Sequence, residues 1–158
     1  MWDKSQVCCF TGHRDISDLT AVKIRRKLTE VMENLISEGV IYYGSGGALG
    51  FDSVAAGVVI KLKKKYPHIK LILVLPCENQ TRGWKEHEKD YLDYLKRNAD
   101  KIVIISKKYT NTCMMQRNRR LVDHSGVCVS YMTKNTGGTA NTVRYAMECG
   151  LKLINIRV

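Results

Sequence analysis

Four glycines, Gly44, Gly46, Gly47 and Gly50, fall within seven positions, with Ser45 among them and Asp52 just beyond. Residues of these types bind anions when they join a strand to a helix. Backbone N–H groups and the helix N-terminus then converge on a phosphate, and glycine permits the positive φ and close approach that a Cβ would block. Val40-Ile41-Tyr42-Tyr43 reads as a short buried strand, and Ser53 to Ile60 as a helix rich in small residues. The alternative is a tight turn that only needed glycine. No Gly-Lys-Ser/Thr follows, so the loop is not a Walker P-loop. Nor is it a clean GxGxxG, and it follows the second strand where a dinucleotide fingerprint would follow the first.

Further groups with useful chemistry cluster in three other places: Thr11-Gly12-His13-Arg14, the stretch Pro76 to Trp84 with Glu78 and Gln80, and Thr136-Gly137-Gly138-Thr139 with Thr142. Arg117-Asn118 opens another helix. The hydroxyls of Thr11, Ser45, Thr139 and Thr142, the cations Arg14 and Arg117 and the plane of Trp84 suit a phosphate, a ribose and a base. Each has a plainer use as well. His13 is either a site residue or an exposed turn residue. Asp52 either accepts a ribose hydroxyl or complements the helix dipole. Trp84 is either a stacking lid or a packing anchor, and Arg119 and Arg120 read as solvated.

The elements that must position these groups alternate regularly. Strands are expected at Val7–Phe10, Val40–Tyr43, Leu71–Leu75, Lys101–Ser106, Val127–Tyr131 and Leu153–Ile156. Between them lie helices at Leu19–Ser37, from the glycine loop to Tyr66, at Trp84–Asn98, at Thr112–His124, and from the second glycine turn to Cys149. Ser17 and Asp18 are N-cap candidates for the first helix, and Val22, Ile24, Leu28, Val31, Met32, Leu35 and Ile36 form its stripe. The strands are continuous apolar runs without period-2 alternation, as in a parallel sheet covered on both faces. The expected fold is α/β: a doubly wound, mostly parallel Rossmann-like sheet in a three-layer α/β/α arrangement, order 3-2-1-4-5-6, in one domain over residues 1–158. The ligand then belongs beyond the C-terminal strand ends, near the switch between strands one and four.

Composition sets the wider limits. A 158-residue chain with 44% apolar and 26% charged residues is an ordinary globule with a substantial core. No apolar run reaches a membrane span and the first residues lack a signal-peptide pattern, so a cytoplasmic protein is expected. None of the six cysteines is spaced as CxxC, and Cys8, Cys9 and Cys128 fall in buried strands. They read as reduced core thiols, without a metal. The net charge of +11 invites a nucleic-acid reading. Its densest run, Lys61 to Lys65, lies at the far end of a helix from the crevice, where lysines complement the dipole.

Five segments, in order, resemble the SLOG superfamily of Rossmann-like nucleotide-binding domains, and in particular its YpsA-type branch. They are Cys9-Phe10-Thr11-Gly12-His13-Arg14, Gly44 to Asp52, Pro76-Cys77 with Gln80 and Trp84, Arg117-Asn118-Arg119 through Ser125, and Gly137-Gly138-Thr139. The glycine loop and the Arg117 segment are also similar to the DNA-processing protein DprA, which binds single-stranded DNA. Another branch, the LOG-type phosphoribohydrolases, carries PGGxGTxxE and an upstream helical arginine, which Arg117 matches. Here Thr136 replaces the proline, Ala140-Asn141 replaces Gly-Thr, and Arg144 stands where the glutamate would be. An oxocarbenium-like state is stabilised by a carboxylate and opposed by an arginine.

The resemblance thus implies a domain that binds or senses a nucleotide, a nucleotide-sugar or an ADP-ribose derivative, with no required cofactor. Nucleoside-monophosphate hydrolysis is the enzyme alternative, with Arg117, Asp52 and Glu78 as catalytic candidates. Single-stranded DNA binding ranks behind a small-molecule ligand. A homo-oligomer is expected.

Overall fold

The computed structural model describes residues 3–158; Met1 and Trp2, part of the N-terminal segment read above, lie outside the described residues. Six strands alternate with five helices: β1 (Val7–Gly12), α1 (Asp18–Ser37), β2 (Tyr42–Ser45), α2 (Phe51–Lys63), β3 (Lys70–Cys77), α3 (Glu86–Asn98), β4 (Lys101–Ser106), α4 (Cys113–Asp123), β5 (Val127–Tyr131), α5 (Gly138–Glu148) and β6 (Lys152–Asn155). Every strand pairing is parallel. The α/β, doubly wound, Rossmann-like class is therefore as expected.

The strand order is not. It runs β4-β3-β2-β1-β5-β6, where 3-2-1-4-5-6 was expected. After β3 the chain takes one more step outward, setting Leu73 opposite Ile102, before it crosses back to place Cys8 opposite Val127. An apolar run does not say whether its strand is central or at an edge, and β4 is an edge: Ile102 and Ile104 are 41% and 43% exposed. The direction of the sheet therefore reverses between β1 and β5, and the ligand crevice of such a fold moves there from the β1/β4 boundary.

Both faces of β1 are apolar, which is what a three-layer fold needs. Cys8 and Phe10 join the core under α1, α2 and α3, while Cys9 on the other face packs with Leu121, Val122 and Ala146 from α4 and α5. Helix α1 starts where Ser17 Oγ accepts the Thr20 N–H, 3.1 Å. It ends at Gly39, φ 95°, where Val40 N donates to Leu35 O and Gly39 N to Ile36 O. Its buried seam is Ala21, Ile24, Leu28, Met32, Leu35 and Ile36; Val22, expected in it, faces solvent. All six cysteines are free, and all but Cys149 are buried. Among the described residues no helix is long and apolar enough to cross a membrane.

Candidate functional site

Strand β2 begins and ends two residues later than its apolar run, and this changes what the glycine loop can do. Gly44 and Ser45 are strand residues. A Cβ on Gly44 would lie 2.8 Å from the Leu121 side chain, so this glycine lets α4 sit close to the sheet. Ser45 is buried; its hydroxyl donates to Asp52 O and accepts the Gly47 N–H. The Ala48 N–H is taken by the Asp52 carboxylate. Gly47 (φ 66°) also lies 2.6 Å, at its missing Cβ, from Leu75, and its carbonyl accepts from Gln80 Nε2. Two of the N–H groups that a phosphate would want are thus met inside the loop. Its glycines serve close packing.

Gly46 shows what is packed. A Cβ there would lie 2.4 Å from Arg117 Nη1 and 2.8 Å from Asp52 Oδ2. Arg117 is only 4% exposed. Its Nη1 donates to Gly46 O, its Nε to Asn118 Oδ1 at 2.7 Å, and its Nη2 reaches the Met114 sulfur, as Arg14 Nη2 also does. Arg14 and Arg117 therefore meet at one thioether. Burial pulls the Arg117 guanidinium below its usual range, opposed chiefly by the Asp52 charge. Burial likewise pushes the Asp52 carboxyl up, against the pull of Arg117, the Ala48 N–H and Arg14.

His13 ties three segments together. Its ring Nε2 accepts the Thr133 N–H at 2.9 Å, its carbonyl accepts the Phe51 N–H at 3.0 Å, and its ring edge meets Tyr131. The exits of β1 and β5 and the start of α2 are thereby held as one unit. With Nε2 occupied by a backbone donor, His13 acts as a structural clamp.

The groups left facing open space form a cavity of about 360 Å³ at the switch between β1 and β5. It is lined by Thr11, Gly12, His13, Arg14, Asp52, Arg117, Asn118, Gly137, Gly138 and Thr139, all site candidates from the sequence, together with Ala48, Met114, Lys134 and Thr136. Helix α5 opens onto it. Its N-cap, Gly137, has φ 95° and no side-chain capping bond, and a Cβ on Gly137 or Gly138 would meet nothing within 4 Å. The N–H groups of that first turn have no intrahelical partner.

Other candidates lie elsewhere. Gly44, Ser45, Gly46, Gly47 and Gly50 are not on the cavity lining. Pro76 is buried within β3, which runs on to Cys77, and Glu78 just after it is exposed. Trp84 packs against the core and is not on the cavity lining. Thr142 is buried, donates to Gly138 O, and lines a second groove of about 500 Å³ between α4 and α5. That groove also holds Arg144, which donates to Asn141, and Arg119, whose guanidinium stacks 4.6 Å from the Tyr145 ring. Asn118, Met114 and Gly138 border both spaces. Met114 and Lys134 could have been proposed only from helix and turn spacing near Arg117 and Gly137; neither belongs to a motif.

The buried Asp52 supplies a pH test. A carboxyl whose folded value is raised favours the fold most below about pH 4, where it is protonated in both states. That contribution is lost as pH rises through the raised value. Asp52→Asn stays neutral throughout, so urea unfolding at about pH 3 and about pH 7 should show the variant gaining on the parent as pH rises. A variant that loses ground over that interval would mean the attraction of Arg117 outweighs burial.

Comparison with known proteins places this geometry in a family. The chain is 32% identical to the SPbeta prophage-derived protein YoqJ of Bacillus subtilis over 142 residues, 82% of this chain and 83% of YoqJ. It is 34% identical to a UPF0398 protein of Bacillus thuringiensis over 131 residues, covering 82% of this chain and 67% of that one. The fold superposes on the DNA processing protein A (DprA) of Streptococcus pneumoniae with a TM-score of 0.70 at 18% identity, over 96% of this chain but only 50% of DprA. The YspA SLOG family (YpsA) matches residues 8–151, a span that takes in every strand end facing the cavity, and the chain belongs to that family.

Proposed function

We propose that the cavity binds the phosphate of a nucleotide or nucleotide derivative, with the anion at the N-terminus of α5. The observation that carries this reading is the uncapped, uncrowded start of α5, opening onto the same space as Arg14, Lys134 and Arg117. A helix N-terminus offers oriented N–H groups and about half a positive charge. The neighbouring cations add to it, while the hydroxyls of Thr11, Thr136 and Thr139 and the Asn118 amide offer contacts to a ribose. The groove between α4 and α5 takes the remainder of the ligand, its amides and the Arg119–Tyr145 stack supplying polar and planar contacts. The family and the DprA-like fold support a nucleotide- or nucleic-acid-related domain of this kind.

Binding without turnover fits these residues better than base cleavage. Arg144 lies in the neighbouring groove, Glu78 is exposed outside the cavity, and Asp52 is the one carboxylate on its lining. Chromatographic assay for free base, with Asp52→Asn as control, separates the two; steady release lost in the control would make this an enzyme.

Gly138→Asp tests the phosphate seat. The side chain enters open space, and a carboxylate in the first turn of a helix favours the helix. Melting temperature should hold or rise. Affinity for adenosine monophosphate and adenosine diphosphoribose, measured calorimetrically, should fall about a hundredfold or more, because the acid competes for the N–H groups and repels the phosphate. Unchanged affinity in the folded variant would remove the anion from α5.

A further inference from the structure

The charge of the Lys61–Lys65 run divides in the folded chain. Lys63 pairs with Asp100, and Lys65 with Glu33 at 3.0 Å. Lys61 and Lys64 take part in no ion pair among the described residues, nor do Arg25 and Arg26 of α1. These four unpaired cations line one groove of about 480 Å³ that follows α2 between α1 and α3. Its α3 wall is aromatic. Tyr91 and Tyr94 stand one helical turn apart, 41% and 38% exposed, with ring centres 5.7 Å apart.

Gly57 on α2 explains the placement of the first ring. A Cβ there would lie 2.4 Å from the Tyr91 hydroxyl, so the glycine makes the hollow into which that hydroxyl docks. Tyr91 as a whole still leaves part of its surface open to solvent. Burial and the neighbouring Tyr94 raise the proton affinity of its hydroxyl, and the Arg25 charge opposes them. Cation and ring line the same groove. None of these six side chains lines the cavity at the β1/β5 switch.

We propose that this groove binds single-stranded nucleic acid, independently of the nucleotide cavity. Unpaired cations in a row neutralise successive phosphates, and exposed rings take bases that have left their stack. A duplex keeps its bases stacked and would leave both rings idle. A polypeptide of acidic residues alone would meet the cations but has no aromatic plane for each ring.

The test is fluorescence anisotropy of the full chain with a labelled oligothymidine of about ten nucleotides, over a salt series. Up to four phosphate contacts predict a slope of log K against log salt near −3. Arg25→Glu with Lys61→Glu should weaken binding about thirtyfold or more at low salt and flatten the slope by about 1.4, two contacts' worth. Tyr91→Ala and Tyr94→Ala should each cost about fivefold to a hundredfold with the slope unchanged, while Tyr94→Phe keeps its affinity. Lys64→Glu, on an exposed side chain, weakens binding without threatening the fold.

Several results would overturn the proposal. One is absence of oligonucleotide binding at low salt. Another is loss of binding on Arg14→Glu or Lys134→Glu while the groove variants bind normally, which would move the strand to the cavity. Equal affinity for a duplex would remove the role of the rings. Equally potent competition by polyglutamate would make the groove a site for acidic protein.

Discussion

Arg117→Ala is expected to abolish nucleotide binding and to destabilise the chain by about 3 kcal/mol or more, the cost of leaving a buried carboxyl and a buried carbonyl without the charge and donor that face them. The substitution leaves the Asp52 carboxylate buried without its main countercharge and removes the donor to Gly46 O. For a chain of this length that is a fall of about 6 °C or more in melting temperature. Arg117→Lys keeps the charge but not the fork that reaches Gly46 and Asn118 together, so it should recover part of the stability and little of the binding. The deficit narrows below about pH 4, where Asp52 is protonated with or without its partner. An alanine variant melting with the parent and still binding nucleotide would show that Arg117 is dispensable at the cavity floor.

Gly50→Val should be nearly as severe, for a different reason. Gly50 has φ 81°, and a Cβ there would lie 2.3 Å from Arg14 O and 2.5 Å from His13 O. Both are backbone atoms, and His13 O is held by the hydrogen bond from Phe51 N, so no side chain can swing aside. Strain in the left-handed region costs about 1–3 kcal/mol, and the collision adds to it, for an expected loss of about 3 kcal/mol or more. Gly150 is the control: its φ is 79° but nothing lies within 4 Å of its missing Cβ. Gly150→Ala should therefore cost only about 1 kcal/mol. Denaturant midpoints that fall equally for the two substitutions would mean that crowding at Gly50 is relieved cheaply.

Much of this was legible in the residues. Apolar runs alternating with amphipathic ones specify a parallel sheet between helices, and in such a sheet the segments after the strands must gather at one edge. Thr11 to Arg14, Gly137 to Thr139 and Arg117-Asn118 do line one cavity there, whereas Pro76 to Trp84, which the same reasoning sends to that edge, does not. Strand neighbours are another matter. Hydrophobicity says that Lys101–Ser106 is a strand, but the partner of a strand is chosen by the crossover connection, so β4 was put beside β1 when it belongs outside β3. The glycines mislead for a related reason. Positive φ, close packing and ligand access all select the same residue type, and only the neighbours of each missing Cβ distinguish them. At Gly46 the neighbour is a buried guanidinium, which an Arg-Asn-Arg-Arg run does not announce.

The His13 clamp has a thermodynamic consequence for whatever enters the cavity. One wall, with Asp52, Arg117 and the glycine loop, is hydrogen-bonded and packed into the core, so its conformational entropy is spent when the chain folds. The clamp anchors the facing segment at Thr133, and helix α5 resumes at Gly138. Between these anchors Lys134 to Gly137 are all exposed and carry no anchor of their own in the clamp or the helix. At about 1–2 kcal/mol of backbone entropy per residue, fixing that short bridge is the ordering cost that a ligand of the proposed kind would meet. Stiffening it is the simplest route to a tighter ligand without any new contact.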